Sequence, residues 1–344
     1  MFASFSVAAL IAIAIVAAAV VVLASIRATV LSDTIADRTR MGEAVAGGIV
    51  LGGATSLSGI VVSVTAASQG DASFAVSNAL GGIAAQTLFL ALADLFSRGP
   101  NLEHAAAEPA NLMQTVLLIG FLSVPIAASA GPEVSLFAVH PASVILAVAY
   151  VVGIKLTTTM RDAPLWRPVR TAATREDTPS DDHDKDTPLL GTLLAFAGLV
   201  ALMGLSGWVI SRIGAVFIDR YDLSSSLVGA LGTAVVTSLP ELVTTLTAVR
   251  RGALQLAVGG IIGGNTFDTL FLVFSDVAYR DGSIYHAIGP DDLFWLATGL
   301  LMTVVLLAGL ILRQREGPAR IGVESVMMMA IYAAAVGIEV VYSA

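Results

Sequence analysis

The chain has no cysteine among its 344 residues, which removes disulfides and thiolate metal sites and says little about compartment. It is also poor in charge. Asp, Glu, Lys and Arg make up 13% of the residues and hydrophobic residues 56%, outside the range of ordinary soluble domains. No hydrolase, Walker or zinc pattern occurs, and no basic patch interleaved with aromatics points to nucleic acid, so an enzyme is not expected and no cofactor is implied. The net charge of −8 is no partner signal, because much of the acid lies in loops.

Long apolar windows are what the chain has instead. A hydrocarbon core of about 30 Å takes roughly 20 apolar residues per helical crossing, and ten such windows are bounded by charge or turn clusters. They run Ser4 to Ile26, Ala44 to Ser68, Ala72 to Phe96, Leu112 to Ala130, Val134 to Leu156, Leu189 to Ile210, Leu223 to Val249, Ala253 to Ser275, Leu293 to Leu312 and Ile321 to Tyr342. None alternates strictly as barrel strands do, so the fold class is an all-α polytopic membrane protein, its first partner the lipid bilayer. The first window has no basic residue before it and too long an apolar run for a signal peptide, and it is read as a retained helix.

Orientation follows from lysine and arginine. With the N-terminus outside, the inner loops collect fifteen of them, from Arg27 to Arg320, against Arg212, Arg220 and Arg280 outside. The expectation is a multi-pass protein of the cell membrane with both termini non-cytoplasmic. Residues 1–157 and 189–344 form two five-helix halves, joined by a solvated cytoplasmic linker at 158–188 of mixed charge, Pro and Thr. The acidic run Asp181 to Asp186 within it is a candidate regulatory calcium patch, with a loose linker as the plainer reading.

The two halves are copies. A shift of 182 residues lays Gly47–Asp94 on Gly229–Asp276 without a gap and matches 17 of 48 positions. TSLSGIVVSV from Thr55 falls on TSLPELVTTL from Thr237, TLFL at Thr87 on TLFL at Thr269, and Asp94 on Asp276. Five crossings separate matching helices, and five is odd, so the copies are expected to run in opposite directions. Inverted repeats of that kind build secondary transporters, with the site at the repeat interface.

Two acids carry the chemistry. Glu241 is the one charge in the seventh window before its basic end, and Asp268 the one charge in the eighth. Each ionised carboxylate at the bilayer centre costs of order 3 kcal/mol, and a bound cation or proton offsets that cost. A protonated or hydrogen-bonded structural acid is the bland alternative for each. Pro240 has no amide hydrogen for the carbonyl of Val236, so backbone oxygens near Val236 and Thr237 are expected to be freed one turn before Glu241. Thr237 and Ser238 add hydroxyls, and such hard oxygens suit calcium or sodium. In GGIIGGNTFD, Asn265 and Asp268 lie three apart on one helical face, among glycines that permit close approach or unwinding.

These residues resemble the calcium:cation antiporter superfamily, the sodium/calcium and proton/calcium exchangers, whose repeats read roughly G-T-S-x-P-E and G-N-x-x-G-S-N-x-x-D/N. The second copy, Thr237 to Asp268, resembles both motifs, with Gly260 for the first asparagine and Gly264 for the serine. The resemblance implies that Glu241 and Asp268 bind the ion as metal ligands, with Thr237 and Ser238 beside them. In the first copy it implies Thr55 and Ser56 as matching ligands and Gln86 in the place of an amide or acid. Two departures stand out: Gly59 replaces the first repeat's glutamate and Ser58 its proline, while Gly82 and Gly264 replace serines.

Asp94 and Asp276 are secondary candidates, read first as acids at helix ends and second as mouth residues that attract or relay cations. The expected function is a cation antiporter exchanging calcium against sodium or protons by alternating access. The glycines at 47, 48, 52 and 53 are expected to lend flexible backbone to that motion. A monovalent cation/proton antiporter and a non-transporting scaffold or regulatory subunit are the alternatives.

Overall fold

A computed structural model describes residues 2–39, 55–96, 101–167 with 169, 189–314 and 321–342. The described chain is almost entirely helical. The long helices are α1 (Val7–Thr39), α3 (Ala72–Phe96), α5 (Pro109–Ala130), α6 (Pro141–Asp162), α7 (Leu189–Tyr221), α14 (Pro290–Leu312) and α15 (Val323–Tyr342). Between them lie α2 (Leu57–Ser68), a single turn α4 (Leu102–Ala105), α8 (Ser225–Leu227), a π-helical turn Val228–Thr233, α9 (Ala234–Thr237), α10 (Leu239–Arg251), α11 (Leu254–Asp268), α12 (Leu270–Ala278) and α13 (Ile284–Ala287).

Among the described residues eight helical segments are long and apolar enough to cross a membrane, and a ninth counts when the pair bent between α9 and α10 is taken as one span. Helix α2 is a shorter apolar helix. The first part of its window, with the glycines at 47, 48, 52 and 53, lies outside the described residues, as does the linker from 170 to 188 with Asp181 to Asp186. Helices α1 and α7 run well past the windows read from hydropathy, because a helix continues for as long as its backbone bonds do, whether or not its side chains stay apolar.

Helix α3 is the centre of the bundle. Its sequence is apolar or small on every side, and 78% of its most apolar stretch is buried, against 22% for α1 and for α7, which therefore turn most of their surface outward. Small residues let α3 approach its neighbours at backbone distance. A Cβ placed on Gly81 would fall 2.4 Å from Cα and 2.6 Å from the carbonyl oxygen of Ala230 in the π-helical turn, so only glycine fits there. Gly207 of α7 meets the backbone of Ser58 in the same way, at 2.5 Å from its carbonyl oxygen.

Candidate cation site

The bend of 45° between α9 and α10 falls at Ser238. Pro240 stands in the first turn of α10, where its missing N–H is not needed, and Glu241 follows it there. The start of a helix presents unpaired N–H groups and the positive end of the helix dipole, a favourable place for a buried carboxylate. The same backbone turn forms in the first copy without a proline. Ser56, the N-cap of α2, has φ −84° and ψ −1°, and Ser238 has φ −92° and ψ 1°, although Ser58 stands where the second copy has Pro240. Both copies then end in a left-handed glycine, Gly70 at φ 84° and Gly252 at φ 78°.

The two breaks and the middle of α3 enclose a cavity lined by Ser56, Gly59, Asn78, Gly82, Gln86, Thr237, Ser238, Glu241, Asp268 and Phe271. About 10 Å³ of it is open to the centre of a water-sized sphere, roughly room for one water. Glu241 and Asp268 are both buried. Gln86 donates from Nε2 to Asp268 Oδ2 at 2.6 Å and reaches Ser238 Oγ at 3.4 Å. Thr55 lies beside Glu241 and Ser56 beside Asp268, yet neither oxygen of Glu241 nor Oδ1 of Asp268 accepts a hydrogen bond of ordinary geometry. Gln86 Oε1 and Ser56 Oγ are likewise without partners. Five buried oxygens in one small space are thus unsatisfied, against the rule that buried polar groups are paired. Among the described residues no group of three or more His, Asp or Glu converges on a metal position, so hydroxyl and amide oxygens would have to complete any coordination shell.

The structure therefore brings together six of the expected site residues: Glu241, Asp268, Thr237, Ser238, Ser56 and Gln86. Thr55 is buried beside Glu241 but does not line the cavity, and Asn265 turns aside, donating from Nδ2 to Thr87 Oγ1 at 2.9 Å. Two lining residues were not expected. Asn78 donates to the Gly59 carbonyl and to Ser63 Oγ, and accepts from Thr233 Oγ1 at 2.6 Å, which ties α3 to both broken segments. Its sequence signal was the stripe Asn78, Gly82, Gln86, four residues apart on one face of α3. Phe271 had no such signal. Its ring fills the place a side chain at position 59 would take, since a Cβ on Gly59 would lie 2.6 Å from Phe271 Cε2.

Asp94 and Asp276 stand outside the cavity, and all four of their oxygens hold backbone. Asp94 accepts from the N–H groups of Leu102 and Gly322; Asp276 accepts from those of Ile284 and His140 and from Ser143 Oγ. The backbone partners correspond at the same separation of 182 residues as the acids. So do His104, whose Nδ1 meets the carbonyl of Arg313, and His286, whose Nε2 meets the carbonyl of Gly131. Each acid ties the turn after its own helix to the start of α15 or α6.

The family model described as "Sodium/calcium exchanger protein" matches residues 9–158 and 190–341. CaxA of Alkalimonas amylolytica is 32% identical over 118 residues, 34% of this chain and 36% of the relative, so the match spans about a third of that protein's length. Among solved structures, the sodium-calcium exchanger NCX_Mj is similar with a TM-score of 0.57 at 18% identity, covering 96% of this chain and 99% of that one. The H+/Ca2+ exchanger CAX is similar with a TM-score of 0.66 at 12% identity, covering 97% and 86%. At these identities the likeness is one of fold.

Proposed function

The chain belongs to the sodium/calcium exchanger protein family, and from that premise we propose that it is a secondary active antiporter carrying calcium against sodium or protons by alternating access. The observation that carries this reading is the set of unpartnered oxygens around Glu241 and Asp268 in a cavity the size of one ion. Two bare carboxylates inside a membrane cost of order 3 kcal/mol each. Calcium, sodium or protons remove that cost, so an occupied site permits rearrangement and an empty one resists it. Obligatory exchange follows.

Glu241 and Asp268 are the charged ligands in this proposal. Thr237, Ser238, Ser56 and Gln86 complete the shell, and Thr55 and Asn265 support it from behind. We read the two halves as inverted five-helix repeats with ten crossings and both termini non-cytoplasmic. The matched hydrogen bonds of Asp94 and Asp276 support the repeat. The test is calcium uptake into proteoliposomes of the purified chain, driven in turn by a sodium gradient and by a proton gradient. Uptake under either supports the reading; no calcium flux under both sinks it.

A second reading, exchange of a monovalent cation against protons, is favoured by one observation. Phe271 closes the half of the site where Gly59 stands, leaving two carboxylates from one half and none from the other. Sodium flux against a proton gradient without calcium flux would decide for it.

A further inference from the structure

The hydrogen bonds around Asp94 and Asp276 match position for position, and one place breaks the match. At the Asp276 end, Tyr285 and Ser143 share a hydrogen bond of 2.8 Å between their hydroxyls, next to Ala142. At the Asp94 end the same three positions hold Glu103, Ser325 and Glu324. Ser325 reaches Glu103 Oε1 only at 3.5 Å. Both glutamates are buried, and Glu103 Oε2 and Glu324 Oε1 have no hydrogen-bond donor. These two oxygens converge on Gly322, where a Cβ would lie 2.6 Å from Glu324 Oε1 and 3.4 Å from Glu103 Oε2, and the two carboxyls are within hydrogen-bonding reach of each other.

The surroundings supply no cation to the pair among the described residues. From α3 comes Asp94, another acid, already engaged by two N–H groups. His104 of α4 points to the Arg313 carbonyl, and Arg313, after α14, directs its guanidinium to the carbonyls of Val169 and His104. Helices α11 and α14, also packed on α4, bring acids only as Asp268 in the cation site and as Asp291 and Asp292 at the far end of α14. Two buried carboxylates in contact cannot both be ionised, whereas a single proton between them gives each an interaction it lacks.

We propose that Glu103 and Glu324 form a proton-binding site separate from the cation site, with one proton held between Glu103 Oε2 and Glu324 Oε1, and that the Asp276 end has no counterpart because Tyr285 and Ala142 stand there. The proton fastens α4 to the start of α15. Burial, with the charges of Asp94 and Glu324 added, pushes the Glu103 carboxyl well above the usual carboxylate range. The sign of the linkage is fixed by that direction. The folded state holds a proton that the unfolded chain releases near the ordinary glutamate value of about 4.3, so the stabilisation is complete below that pH and is lost as pH rises through the raised value.

Infrared difference spectroscopy on the full chain tests this, in a background of Glu241→Gln and Asp268→Asn that silences the cation site. A protonated-carboxyl band is expected at neutral pH, lost in Glu103→Gln and in Glu324→Gln. The parent's melting temperature should fall with rising pH, and the double variant Glu103→Tyr/Glu324→Ala, which copies the Asp276 end, should lose that fall. A band that neither single variant removes would overturn the proposal, as would no band at neutral pH in folded protein. Displacement of the band by calcium or sodium at fixed pH would make the pair a cation site instead, and overturn it too.

Discussion

TSLSGIVVSV and TSLPELVTTL occupy equivalent places in the two halves and fold alike at the start, with the same backbone angles at Ser56 and Ser238 and the same left-handed glycine at the end. They differ in what they put into the cavity. The second copy supplies Glu241, and the first supplies a glycine whose missing side chain is replaced by the ring of Phe271 from the other half. Backbone shape is thus separable from charge in this fold: a repeat without the proline and the acid still has the turn that places Ser56 at the cavity.

Substitutions can break that comparison. The largest effect is expected from Glu241→Gln, which removes the charge that distinguishes the copies; calcium exchange in proteoliposomes should fall about a hundredfold or more, roughly 2.7 kcal/mol of barrier, while the protein remains folded and inserted. Next is Gly59→Glu, which restores the acid to the first copy but drives its Cβ into Phe271. Thermal unfolding should show a loss of about 1–3 kcal/mol from overpacking, recovered in Gly59→Glu/Phe271→Ala, whose calcium affinity should exceed that of the parent by calorimetry. A smaller change is expected for Gly264→Ser, whose Cβ would sit 3.2 Å from Gln86 Oε1 and press on the amide that holds Asp268; the apparent calcium affinity should weaken by less than about tenfold, or 1.4 kcal/mol. The smallest belongs to Pro240→Ser, which gives the second copy the residue of the first. Exchange should stay within about threefold of the parent, near 0.6 kcal/mol, because Ser56 shows the same turn formed without proline. A large loss there would mean that the two breaks have different causes.

Much of this was legible in the sequence, for physical reasons. Buried acids in apolar windows must be satisfied by something, so Glu241 and Asp268 stood out, and a gap-free repeat of 48 residues at an offset of 182 matched Gln86 to Asp268. The rest depends on contacts between distant parts of the chain. Phe271 reads as an ordinary aromatic in an apolar helix until position 59 is placed beneath it. The π-helical turn at Val228–Thr233 packs Ala230 against Gly81 at backbone distance, a meeting of distant segments that no local pattern encodes. Pro240 led to the expectation of freed backbone oxygens near Val236 and Thr237, whereas the turn itself sits at Ser238 and recurs at Ser56, whose copy has no proline. Asn78 was a polar residue in an otherwise apolar stretch, and its three hydrogen bonds explain why it is tolerated there.

The clamps at Asp94 and Asp276 have a further consequence, for the length of chain beside them. Surface connections are ordinarily where a protein absorbs insertions and deletions. Here each acid must reach the N–H eight residues further on, Leu102 in one half and Ile284 in the other, and that span is identical in both. These connections behave as rulers. Their composition differs, with Leu95 matched to Val277 and Asn101 to Ser283, but adding or removing one residue would detach the carboxylate from its N–H and unfasten the helix ends that it joins. Insertion scanning of the chain should therefore find these two connections among its least forgiving, despite their place at the ends of helices.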